Sequence, residues 1–295
     1  MKQAYLIMAH NYFDQLNILL TMLDDERNDI FLHVDASAIG FDESIARTRV
    51  RHARLSVIPR MKVSWGGYGQ IACEMSLLEF AVSSGEHGYY HLISGADLPI
   101  QSNDQIIGFF DAHQGKEFVH FTGRLDAGNL DEGDRRRISV YHPFQDLVGR
   151  RGIRLNGFVE SLQSVCGMDR LKKSRFNEYL GKGSNWFSIT HDFAQYLVWH
   201  MDEIRQTFSS GFCADELVVQ TMLLASPFRD NVYRGDADDD YTSIMRYVDW
   251  KRGAPYIFRS EDFDELVNSH MMFARKFDIH IDDDIIRRLA SYVVE

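Results

Sequence analysis

AYLIMAHNYFDQLNILLTMLDDERNDIFLHVD, residues 4–35, is the stretch that decides the fold. Ala4 to Ala9 is an uncharged apolar run of strand length. Asp14 to Leu23 sets Leu16, Leu19, Leu20 and Leu23 at a spacing that gathers side chains on one face of a helix. Asp29 to Val34 is a second strand-length run, closed by His33-Val34-Asp35. Strand, helix and strand within about thirty residues form a βαβ unit, whose strands run parallel through a right-handed crossover.

The alternation continues outward from this unit. Ser56 to Pro59 and Tyr89 to Ile93 read as strands, and Gln70 to Ser83 and Asn103 to Ala112 as helices. It resumes with a strand at Trp186 to Thr190, a helix at His191 to His200 and a helix beginning near Asp215. The predicted fold is α/β: a Rossmann-like mixed, mostly parallel sheet flanked by helices. Such sheets bind ligands beyond the carboxyl ends of their strands, where His10, Asp35 and Asp97 stand. Between Arg124 and Lys182 the composition shifts to 12 basic against 8 acidic residues, including Arg135-Arg136-Arg137 and Arg170-Leu171-Lys172-Lys173. That segment reads as a solvated insertion, or as a surface meeting an anionic acceptor or a charged membrane face. The chain is thus expected to be one domain: a nucleotide-binding half over 1–123, a basic variable insertion over 124–182, and an acceptor and catalytic half over 183–295.

A chain of 295 residues with 45% hydrophobic content can bury a sizeable core. Its formal net charge of −11 argues against a general nucleic-acid binder, which would need a basic face. Cys73, Cys166 and Cys213 are too few and too scattered for a disulfide framework or a zinc site. The N-terminus has neither the apolar length of a membrane span nor a cleavage signal. These features predict a cytoplasmic protein in a reducing compartment.

Transferring a sugar from a nucleoside diphosphate requires a pocket for base and ribose, countercharge for the departing diphosphate, and a group that takes the acceptor's proton. Asp35 could accept bonds from uracil N–H or ribose hydroxyls, or it could cap a turn. His10 could serve the same pocket or be structural. Glu216 begins a helix in CADELVVQTML whose apolar face carries Val218, Val219, Met222 and Leu223. Partial burial there would let the carboxylate take a proton near neutral pH. Equally, Asp215 and Glu216 are first-turn acids of the kind a helix dipole favours. Arg275 and Lys276 follow an apolar segment, with Arg259 upstream in Ile257-Phe258-Arg259. At ~4 Å and intermediate dielectric, one cation facing one phosphate charge interacts by about 4 kcal/mol. Surface ion pairs with Asp278 or Glu261 are the alternative. Asp236-Ala237-Asp238-Asp239-Asp240 looks like a metal-holding Asp-x-Asp signature, but its late, polar setting reads as a solvated loop, and no metal site is expected. Gly66-Gly67-Tyr68-Gly69 lacks the G-x-G-x-x-G pattern of a dinucleotide-binding turn.

The ordered series AYLIMAH, FLHVD, VSWGGYGQI, HLISGADLPI, GSNWFSIT, ADE, RYVDW and FARKFD resembles glycosyltransferase family 14, which contains the core-2 and I-branching β-1,6-N-acetylglucosaminyltransferases and the peptide O-xylosyltransferases. The resemblance implies a GT-A-like fold and an inverting, metal-independent reaction with a UDP-sugar and no cofactor. It also implies that Ala9, His10 and Asp35 hold uridine and that Val63, Ser64 and Trp65 line the donor pocket. Asn185 and Trp186 would contact the sugar, Asp97 would belong to the donor site, and Arg259, Arg275 and Lys276 would grip the diphosphate. Glu216 would be the catalytic base and Trp250 an aromatic near the acceptor. Asn185 stands where xylosyltransferase-like members carry Asp. Animal members carry a membrane anchor and several disulfides, which points this chain to a bacterial-type enzyme. Its expected donor is UDP-N-acetylglucosamine or UDP-xylose, and its expected acceptor a glycan or lipid-linked oligosaccharide. Peripheral contact with an anionic membrane is a further expectation. A non-catalytic sugar-nucleotide or glycan-binding protein on the same fold is the competing class.

Overall fold

The computed structural model describes residues 1–122, 130–149, 153–234 and 241–294. Nine strands form two sheets: β1 (Gln3–Ala9), β2 (Asn28–Val34), β3 (Arg54–Val57), β4 (Tyr89–Ser94), β5 (Asp97–Pro99), β6 (Phe118–Val119), β7 (Phe187–Thr190), β8 (Arg246–Val248) and β9 (Phe273–Arg275). The larger sheet runs β3-β2-β1-β4-β7-β6 and the smaller β5-β9-β8. The first four strands of the larger sheet are parallel, with β1 at their centre, paired along its length with β2 and β4. Along β1, Ala4 and Leu6 enter one hydrophobic cluster, whereas Tyr5, Ile7 and Ala9 enter the other. Both faces of the sheet are therefore covered, as a parallel sheet requires. Helices Tyr68–Ser84 and His191–Trp199 supply the first cluster; helices Phe13–Met22 and Asp283–Val294 supply the second.

The mixed, mostly parallel sheet expected from sequence is the one observed, with three differences. The third strand is Arg54–Val57, displaced toward the N-terminus from the expected Ser56 to Pro59. Register with β2 begins at Asp29 and Arg54, and Pro59 has no N–H to extend the ladder. Second, β7 runs antiparallel to both β4 and β6, so the parallel alternation stops at β4. Third, Asp97 does not end a strand of the main sheet; it opens β5 and pairs in antiparallel register with Arg275 on β9.

A buried guanidinium joins the two sheets. The β4–β7 ladder ends at His91 and Ser188. Beyond it, Arg246 of β8 donates to the carbonyls of Leu92 at 3.1 Å and Phe187 at 2.8 Å, and to that of Ile244 at 2.5 Å. Its guanidinium also lies against the Phe273 ring. Arg246 thus ties the two strands together just beyond their last ladder rung. Burial pushes its pKa down to about 9, so it remains the charged donor at neutral pH.

Two acids are buried between helices Tyr68–Ser84 and Asp215–Leu224. Glu74 accepts from Asn185 Nδ2 at 3.2 Å and Asp215 from Gln70 Nε2 at 2.8 Å. The second oxygen of each has no hydrogen-bond partner. Burial, then the Asp215 charge, holds Glu74 well above the usual carboxylate range. Burial, then the Glu216 charge, raises Asp215 to about 6.

Arg246→Met should cost about 3 kcal/mol of unfolding free energy in urea titration, because three buried carbonyls lose their donor; unchanged stability would remove this residue as the tie between the sheets. Between the ordinary carboxylate range and their raised folded-state values, Glu74 and Asp215 bind more protons folded than unfolded, so their ionisation costs stability as pH rises. Glu74→Gln should therefore stabilise the protein by roughly 1 kcal/mol near pH 8, with the gain shrinking toward pH 4. A pH-independent difference in urea midpoints would show that the pair does not titrate as described.

Candidate active site

Beside Arg246, strands β5 and β9 meet the residues that precede β7. Asp97 is buried; one carboxylate oxygen accepts from Ser94 N at 2.5 Å, and the other lies 3.3 Å from Arg275 Nε. The Arg275 guanidinium stacks 4.3 Å above the Trp186 ring, joining the two segments. Among the described residues Arg275 makes no side-chain hydrogen bond, and Asp97 is its close carboxylate. Lys276 follows, with its backbone tied to Tyr256 and Phe258, the latter adjoining Arg259. Neither the Lys276 nor the Arg259 side chain is ion-paired among the described residues, although Arg259 N donates to Asp262 Oδ2 at 2.8 Å. Asp278 instead accepts from His280 N and faces Tyr12. The alternative of surface ion pairs with Asp278 or Glu261 is thus not what these three side chains form.

At the carboxyl end of β2, Asp35 is buried with both oxygens bonded. Oδ1 accepts from Ser37 N at 2.7 Å and Ser37 Oγ at 2.5 Å, and Oδ2 from Val63 N at 2.7 Å. Burial opposes ionisation, but these bonds outweigh it and hold the carboxyl below its ordinary value. Asp35 therefore does cap a turn, and in doing so it fixes Val63; Oδ2, with one donor, keeps a second lone pair. Ala9 accepts from Asp35 N, whereas His10 is exposed just beyond β1. Ser64 donates to the Asp146 carbonyl at 2.8 Å, and the Trp65 carbonyl accepts from Gln145 at 2.8 Å. The next residue, Gly66, has φ +70°, which glycine adopts without strain, and its carbonyl takes the Cys213 N–H at 2.8 Å. Trp65 packs on Phe212. The Val63–Trp65 loop is in this way docked against the loop that leads into Glu216.

Glu216 is partly buried, as its place on an apolar helix suggested: its side chain is 44% exposed and ion-paired to Arg137 at 2.8 Å, while full burial falls on Asp215 beside it. Arg137, third of the Arg135-Arg136-Arg137 run, is itself well covered. It also donates to the Phe212 carbonyl at 3.1 Å, to the Cys213 carbonyl and to Asp134 at 3.2 Å. The solvated reading of that basic run thus fails at its most important member. Asp134 is in turn held by Lys182 at 2.8 Å.

One line of contacts connects most of these residues: Asp97, Arg275, Trp186, then Asn185 with Glu74, then Asp215 and its neighbour Glu216 with Arg137. Trp250 is exposed, with its ring 6.4 Å from Tyr241, which stacks on His120, whose Nδ1 accepts from Ser184 N beside Asn185. Sequence reasoning passed over Glu74, Gln70 and Arg246 as well as Arg137. Glu74 was legible, since it falls on the Ile71, Leu78 and Ala81 stripe of its helix, where an acid is out of place. Arg137 carries no such signal within its run. Among the described residues no three His, Cys, Asp or Glu side chains gather as metal ligands; the acidic run Asp236 to Asp240 lies outside those residues.

Residues 3–270 match the family model described as Core-2/I-Branching enzyme. Xylosyltransferase 2 of Bos taurus is 22% identical over 98% of this chain and 33% of its own length. Human xylosyltransferase 1 is 23% identical over 98% of this chain and 30% of its own length. The chain thus spans about a third of the curated relatives it matches. Among solved structures, mouse xyloside xylosyltransferase 1 in its apo form covers 93% of this chain and 97% of its own, at 9% identity and a TM-score of 0.39. With nearly the whole chain inside the family's pattern, the protein belongs to the Core-2/I-Branching enzyme family of glycosyltransferases, family 14.

Proposed function

We propose that this chain transfers a sugar from a UDP-sugar to a hydroxyl of a glycan acceptor with inversion, forming a β-linkage without a metal ion or other cofactor. The observation that carries the reading is the pairing, along one line of contacts, of cations lacking full countercharge (Arg275, and Lys276 next to it) with a half-exposed carboxylate, Glu216. In this reading Arg275, Lys276 and Arg259 receive the diphosphate, gaining most as charge moves onto the leaving group. Asp35, Ala9, His10 and the Val63–Trp65 loop bind uridine, while Asn185, Trp186 and Asp97 shape the sugar pocket. Glu216 takes the acceptor's proton as its oxygen attacks the anomeric carbon opposite the departing UDP, and Trp250 meets the acceptor. The segments 1–123, 124–182 and 183–295 then act as one domain, with the middle segment contributing Arg137 to orient Glu216.

N-acetylglucosamine is the proposed donor sugar and a lipid-linked oligosaccharide of bacterial surface polysaccharide the proposed acceptor, used at the cytoplasmic face of the membrane. No helix among the described residues is long and apolar enough to cross a membrane. A second reading, xylose transfer from UDP-xylose, draws support from the relatives named xylosyltransferase. Asn185 in place of their Asp weighs against it.

The test is UDP release from a panel of UDP-sugars with chelator present. Release from one donor is expected, and Glu216→Gln should lower it by about 10²- to 10⁴-fold with UDP affinity kept; near wild-type turnover in that variant would remove the base assignment. A requirement for Mg²⁺ or Mn²⁺ would remove the cationic clamp. Lys276→Ala should weaken UDP binding and turnover together. Arg137→Met should cut turnover about tenfold with UDP affinity intact, and Arg137→Lys should restore part of it, as expected of a positioning residue.

A further inference from the structure

Helix Ile153–Val165 is built inside out. Its polar residues Asn156, Glu160 and Gln163 face the protein, spaced along one side of the helix. Gln163 accepts from Tyr141 N at 2.8 Å and donates to Tyr141 O at 2.9 Å. Asn156 donates to Gln145 Oε1 at 3.0 Å and accepts from Phe144 N at 3.3 Å, and Glu160 lies 3.0 Å from His142 Nδ1. The apolar residues point the other way: Phe158 is 67% exposed, Leu162 54% and Val165 88%, with Met168 exposed just beyond. A surface helix of a globular protein normally has the reverse arrangement.

We infer that this helix rests in the interface of an anionic membrane, with Phe158, Leu162 and Val165 entering the lipid and neighbouring basic residues meeting the headgroups. Charge selects this occupant. From residue 149 to 173 the sequence carries Arg150, Arg151, Arg154, Arg170, Lys172 and Lys173 against two acids, Glu160 and Asp169. Both acids are turned to partners within the protein, Glu160 to His142 and Asp169 to Arg135 at 2.8 Å. Lys172 is exposed, and Arg170 lies over the Tyr141 ring. An apolar ridge with basic flanks is the pattern of an interfacial helix on anionic lipid. A second copy of the chain would instead set two like-charged faces against each other. Two hydrogen bonds, Asn156 to Gln145 and Gln145 to the Trp65 carbonyl, separate the helix from the candidate site. Only this last point, a site held near a lipid-borne acceptor, rests on the proposed function.

Vesicle flotation without donor or acceptor tests the inference separately from transfer. The wild-type chain should float with phosphatidylcholine vesicles containing phosphatidylglycerol, but not with phosphatidylcholine alone, and high salt should release it. Joint Phe158→Ser, Leu162→Ser and Val165→Ser replacement should weaken flotation by about tenfold or more while UDP affinity is kept, and Phe158→Asp alone should act in the same direction. Failure of the wild type to float at low salt, or unweakened flotation of both variants, would overturn the inference. So would light scattering that finds a wild-type dimer which Phe158→Asp converts to a monomer, since the occupant would then be a second copy.

Discussion

The tie that Arg246 makes from β8 to the ends of β4 and β7 is the interaction on which the Asp97–Arg275 region depends. A guanidinium has more donors than a ladder rung and gives them to carbonyls of three different segments, so that none of the three is orphaned. The same side chain anchors β8, and β8 pairs with β9, the strand that ends in Arg275. One buried cation therefore fixes the strand that brings a second cation, Arg275, beside Asp97.

The electrostatics around Asp97 follow from unequal pairing. Asp97 faces Arg275 and lies near enough to Arg246 to favour its charged form, so two cations share one close carboxylate. Farther along the line of contacts Glu216 is set against Arg137, while burial works against ionisation of Glu74 and Asp215.

Much of this was legible in the chain. The apolar runs from Ala4 to Val34 specify parallel strands covered on both faces because nothing else buries two such runs and an amphipathic helix in so few residues. The helix at Asn103–Ala112 has the expected bounds because Ser102 and Gln105 form a reciprocal cap at its start. Less legible was anything set by residues distant in sequence. The direction of β7 depends on pairing with β6, whose two residues carry no pattern, and the partner of Glu216 lies in a run of three arginines that differ only in which way each faces. The partial burial of Glu216 was legible, but the full burial of Asp215 beside it, against Gln70 of another helix, was not.

The pairing of Asp97 with Arg275 also has a consequence for how the protein is made. Residues are synthesised in order, and the six strands of the main sheet are complete before Arg246, Arg275 or Lys276 leaves the ribosome. Until then Asp97 has no cation beside it and the ends of β4 and β7 have no tie. A growing chain can therefore condense its parallel core early, yet the cations beside Asp97 are the last part to exist, so a nascent chain holding only the earlier strands has no means of gripping an anion there.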